Sequence, residues 1–140
     1  MTRAFVTLVL SLAFAAPVAA QDDPGKRIEA QVFPPELVMR HARAINLTTE
    51  QRKQIGDAVS SAQRELIDLQ WELNDAADAL ASALEAPRVD EAPTLASLDR
   101  VLDLERQVKR RQMALVIRIK NLLTPTQQGR LKELRAQGGS

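Results

Sequence analysis

Residues 44–55, AINLTTEQRKQI, and residues 120–131, KNLLTPTQQGRL, write Leu-Thr-x-x-Gln twice. The first copy holds Leu47, Thr48 and Gln51, and the second holds Leu123, Thr124 and Gln127. A threonine at a helix cap accepts a hydrogen bond from a backbone N–H of the first turn, and a glutamine three residues on reaches back to the free amide of the cap residue. Pro125 suits the first helical position, where its missing N–H would have had no partner. Both motifs therefore read as helix starts.

Between them, no proline occurs from Thr49 to Ala86. Ile55, Val59, Ala62, Leu66, Leu69, Leu73, Ala76, Leu80 and Ala83 recur in alternating steps of four and three, a heptad seam. The spacing predicts one helix of roughly 55 Å. The stretch APRVDEAPT, with Pro87 and Pro93, closes it. A third helix is expected from after Thr94 to Leu122, with Leu98, Val101, Val108, Leu115, Ile119 and Leu122 on one stripe, interrupted by Glu105 and Gln112. A short link forces these two into an antiparallel hairpin, with Glu65, Asp68, Glu72 and Asp75 alongside Arg106, Lys109, Arg110 and Arg111. Short helices are expected before it, Pro35 to Ile45, and after it, Pro125 to Ala136. The fold class is all-α: a long antiparallel helical hairpin with short flanking helices.

The amino end has a different character. Arg3 precedes an apolar run from Ala4 to Ala16, then PVAAQDDP, which reads as a secretory signal peptide over 1–20 cut between Ala20 and Gln21. Residues 21–33 are polar and aperiodic and are expected to be a flexible leader, 34–136 a single helical domain, and 137–140 a disordered tail. The run is too short to span a bilayer, so no stable membrane insertion is expected. Cysteine is absent, and disulfides with it. Cleavage removes Arg3 and no acid, taking the formal charge from +1 to 0, which excludes nucleic-acid binding by bulk electrostatics.

A hairpin with two short helices cannot enclose much core, so it calls for a partner chain, and a homodimer is expected. Ile67 and Trp71 lie off the seam of the second helix, while Met113 and Ile117 crowd the third. The ordinary reading of such residues is a dimer interface or packing for the short helices. The sharper one is a surface for unfolded polypeptide, with Arg52, Lys53, Arg64, Arg118 and Lys120 attracting acidic segments. Catalysis is not expected: there is one histidine, no glycine-rich phosphate loop and no nucleophile beside a base. VKRRQMALVIRIK, residues 108–120, has the basic-apolar mixture of a membrane-surface helix, but the acidic partner helix is expected to neutralise it.

The signal peptide, short first helix, NLTTEQ, long hairpin and LLTPTQQGRLKEL together resemble the Spy and CpxP family of periplasmic proteins. That resemblance implies a hairpin that dimerises into a curved cradle and an ATP-independent chaperone or envelope-stress accessory protein without a cofactor. It also implies partners among unfolded or misfolded envelope proteins and the periplasmic domain of a sensor kinase. The alternative it carries is a periplasmic heavy-metal sensor or resistance protein. Metal-sensing relatives place two histidines four apart on the first helix, whereas His41 has Leu37 and Ile45 at those spacings. His41 and Met113 remain as weak metal candidates, meeting only where the first helix folds over the hairpin.

Overall fold

The computed structural model describes residues 23–138, so the expected signal peptide and the last two residues lie outside the described part. Five helices follow one another: α1 Pro24–Glu29, α2 Pro35–Arg40, α3 Thr49–Leu84, α4 Glu91–Leu122 and α5 Pro125–Gln137. Among the described residues there is no strand. The long helices α3 and α4 pack against each other as an antiparallel hairpin.

The seam of α3 falls where the heptad places it. Ile55 is buried, the positions from Val59 to Leu80 are half-buried, and only Ala83, at the end, is exposed. On α4 the phase differs from expectation. Leu104 is fully buried, whereas Leu98, Glu105 and Gln112 are exposed. The inward stripe runs Thr94, Ser97, Val101, Leu104, Val108, Leu115, Ile119 and Leu122, with the exposed Arg111 at its missing heptad position. A leucine is thereby exchanged for a serine and a threonine near the tip, where α3 offers Ala76 and Leu80. The ion pairs follow this phase. Glu65 meets Arg111 at 2.9 Å and Glu72 meets Arg100 at 2.7 Å, while Arg106 turns to Asp103 on its own helix.

Pro93 does not delay α4. It is the third residue of the helix, within the first turn, where an N–H has no intrahelical acceptor to lose. The regular part of α2 stops at Arg40 instead of Ile45. The chain stays coiled to a Schellman end in which Asn46 takes a positive φ of 52°, Leu47 N–H bonds to Ala42 O at 2.8 Å and Asn46 N–H to Arg43 O at 3.1 Å. Asparagine tolerates this left-handed conformation better than most residues.

Residues 24–33 are not the flexible leader expected from their polarity. Asp23 Oδ1 accepts the Gly25 N–H at 2.9 Å and starts α1, and Phe33 is fully buried. Phe33, Val38, Ala42, Ile45 and Leu47 pack with Ile55, Ile119, Leu123 and Leu131 in one core at the open end of the hairpin. Lys120 and Arg135 fasten the leader through its backbone, and Lys132 through a side chain. Lys120 donates to Gln31 O at 2.8 Å, and Arg135 donates to Glu29 O at 3.1 Å and Val32 O at 2.6 Å. Lys132 reaches the Gln31 side chain, and the Arg135 guanidinium lies 5.4 Å from the Phe33 ring centre.

Candidate functional site

The two Leu-Thr-x-x-Gln motifs meet. Each forms a complete capping box: Thr48 Oγ1 accepts Gln51 N–H and Thr124 Oγ1 accepts Gln127 N–H, while each glutamine Oε1 accepts the N–H of its own threonine. The two side-chain amides then pair reciprocally. Gln51 Nε2 donates to Gln127 Oε1 at 2.8 Å and Gln127 Nε2 donates to Gln51 Oε1 at 2.9 Å. Each Nε2 uses its second proton on the residue that precedes the opposite motif, Leu122 O at 2.8 Å and Asn46 O at 3.5 Å.

The result is a local two-fold arrangement between segments 76 residues apart. Leu47 and Leu123 are buried at equivalent places, as are Ile55 and Leu131 one turn beyond the glutamines. Gln127 is itself buried, and among the described residues no buried side-chain nitrogen or oxygen lacks a partner. A fully satisfied amide pair in an apolar surrounding fixes geometry closely, because any slippage leaves donors unpaired. The duplicated motif was the sequence signal for this contact, and capping alone left it unread.

The residues expected to bind polypeptide are dispersed. Trp71 and Ile67, at 67% and 56% exposure, lie on the outer side of α3. Met113 lines a groove of about 890 Å³ between α1 and α4, with Ile28, Val32, Lys109 and Val116. Arg118 lines a different hollow, with Ala58, Glu65 and Arg111. Ile117 is 47% exposed. Lys120 is engaged with the leader, and Lys53 pairs with Asp57 at 2.9 Å, which raises its pKa through that hydrogen bond. Arg52 and Arg64 are exposed. The expected neutralisation of α4 by α3 is corrected: neither Lys109 nor Arg110 has an ion-pair partner among the described residues.

The donors present do not fit a heavy-metal centre within one chain. Cysteine is absent and His41 is the single histidine. Among the described residues no three His, Cys, Asp or Glu side chains come together for an ion. Leu37, not His41, lines the groove that holds Met113. A thioether and one imidazole apart from each other are a poor set for a divalent ion.

No helix among the described residues is long and apolar enough to cross a membrane. Comparisons with curated proteins and with solved structures give no match. A family model described as heavy-metal resistance matches residues 4–133, which takes in both motifs and the whole hairpin. The family sits within the Spy/CpxP-like periplasmic superfamily. With a duplicated Leu-Thr-x-x-Gln lock closing an all-helical hairpin, the chain belongs to the heavy-metal resistance family.

Proposed function

We propose that this protein works in the periplasm as a homodimeric, ATP-independent envelope-stress accessory that binds unfolded polypeptide on exposed helix surface. The observation that carries the reading is the solvent-exposed pair Ile67 and Trp71, one turn apart on α3 and outside its seam. A tryptophan left two-thirds exposed on a helix that already has a complete apolar seam contributes nothing to that seam. It has the area and the rigidity of a binding anchor. Arg64, three residues before Ile67, adds a charge that draws acidic segments. The reading supplies no catalytic group and needs no cofactor.

Aggregation suppression tests it. The exported protein is expected to slow aggregation of a denatured client, and Trp71→Ser with Ile67→Ser to weaken that effect while helicity and dimer mass stay unchanged. Loss of the dimer in the same variant would assign the patch to the subunit interface. Absence of suppression by the unmodified protein would remove the chaperone reading and leave the accessory or sensor-kinase-binding role beside the metal reading.

Family membership favours a second reading, direct sensing of a metal ion. Titration with zinc, copper, nickel or cobalt separates the two. Weak binding or none is expected from the donor set, and a stoichiometric complex of micromolar affinity or better that His41→Ala removes would reverse the order of the readings.

A further inference from the structure

Apolar side chains on the outer side of α4 fall into two groups with charge between them. Leu95, Leu98 and Leu102 lie toward the tip, and Met113, Val116 and Ile117 toward the open end. Val116 is half-buried and the other five are exposed. Between the groups come two acids, Asp103 and Glu105, and then three bases, Arg106, Lys109 and Arg110. Arg106 is bonded to Asp103 on its own helix, whereas Glu105, Lys109 and Arg110 have no ion-pair partner among the described residues.

An order of leucines, acids, bases and apolar residues complements itself when read backwards. A two-fold axis level with Gln107 lays two copies of α4 antiparallel and brings Glu105 of each level with Lys109 of the other. Asp103 of each comes within one residue's rise of Arg110. At about 100° per residue, Glu105 and Lys109 share one flank of the outer side and Asp103 and Arg110 the other, and a two-fold keeps each flank facing itself. Both unpaired cations thereby gain an acid. The same register sets Leu98 level with Val116, and Leu102 within one residue's rise of Met113. Met113 and Val116 line the α1–α4 groove with Ile28, Val32 and Leu37, so the leucines of one tip meet an apolar groove on the other copy.

We propose that the outer side of α4 is where two copies of this chain pair, antiparallel, each seating Leu98 and Leu102 in the α1–α4 groove of the other. The proposal rests on the homodimeric reading given above and names the face that forms it. Charge favours a second copy over other occupants. Asp99, Asp103 and Glu105 balance Arg106, Lys109 and Arg110, which leaves the face no net charge to draw an anionic partner but every charge a place in a self-complementary pair. Pairing through α4 also leaves Ile67 and Trp71 free, because they lie on the outer side of α3.

Light scattering of the exported protein is expected to give the mass of a dimer. Glu105→Lys and Lys109→Glu should each weaken the dimer about 10-fold, since either reversal turns two exposed attractions into repulsions. Mixing the two variants should restore pairing as a heterodimer. Because the chain has no cysteine, Leu98→Cys and Val116→Cys chains can be mixed and oxidised without competing thiols. A mixed disulfide dimer is expected, with no cross-link in either variant alone. Circular dichroism checks helicity throughout. A monomer at every concentration would overturn the proposal and leave the groove to an apolar client segment. Loss of the dimer on Trp71→Ser with Ile67→Ser, with Glu105→Lys leaving it intact, would overturn it in favour of α3. A monomer that still protects a denatured client would refute the interface alone, and an α4-paired dimer without protection would refute the client reading alone.

Discussion

The two ends of the hairpin are built differently. At the open end, five segments converge, and Phe33, Val38, Ile55, Ile119 and Leu131 are each at most 1% exposed. At the tip, no residue from Ala81 to Pro93 is even half-buried, and α3 and α4 touch there through a single seam of partly exposed side chains. A helix in isolation is only marginally stable, so its persistence depends on what its apolar face meets. The open end supplies that on several sides; the tip supplies it on one. Local opening should therefore begin at the tip and the Arg88–Val89 turn, while the motif-bearing end opens only with the whole fold.

The largest expected effect follows from this contrast. Ile119→Ala or Phe33→Ala should destabilise the protein by about 2 to 5 kcal/mol, from lost burial plus the cavity left behind. Leu80→Ala, at the tip, removes a similar volume but should cost clearly less, since solvent already reaches the site. Urea unfolding of the three variants measures the difference, and equal losses would refute the two-ended picture.

Next comes the amide pair. Gln127→Leu strands the Gln51 amide, the Thr124 N–H and the Asn46 carbonyl, and leaving such groups unpaired costs about 1 to 3 kcal/mol. Gln51→Leu should act similarly. The double variant should lose less than the sum, because the second substitution removes a group already orphaned by the first. Additive losses would mean that each glutamine serves only its own cap.

The caps themselves should come third. Thr48→Ala and Thr124→Ala are each expected to lower stability by about 0.5 to 2 kcal/mol, and unchanged thermal midpoints would sink the capping account.

Smallest are the surface charges along the middle of the hairpin. Glu65→Gln, which breaks the exposed pair with Arg111, should cost about 0 to 1 kcal/mol and less at high salt. Asp103 sharpens the point through pH. The hydrogen bond from Arg106, with a second from Gln107, holds its carboxyl below the ordinary value of 3.8. Its contribution is present above that value and is lost only as pH falls through the lower folded-state one. Acid titration of Asp103→Asn should therefore match the parent down to about pH 4 in the shape of its stability profile and diverge only below it.

Much of this architecture was legible beforehand because helix starts and seams are local. Thr48 and Gln51 are three residues apart, and a heptad repeats every seven, so the capping boxes and the α3 seam follow from short-range geometry. The phase of α4 was harder to read. Leu98 and Leu104 both belong to plausible stripes of an amphipathic helix, and only packing against α3 selects Leu104 for the interior. Phe33 sat in a polar stretch whose average hydropathy concealed it, yet one aromatic ring held by Arg135 is enough to anchor the leader.

What the sequence determined by itself, then, is where α3 and α5 begin, which face of α3 is apolar, and the repetition of a capping motif. Tertiary structure alone decided that the two capping glutamines bond to each other, that Asn46 turns left-handed to offer its carbonyl to Gln127, and that Lys109 and Arg110 stay clear of the acids on α3. The physical reason is separation along the chain. A cap closes over one helical turn, where few conformations compete, whereas contacts spanning 76 and 81 residues exist only once the hairpin has brought its ends together.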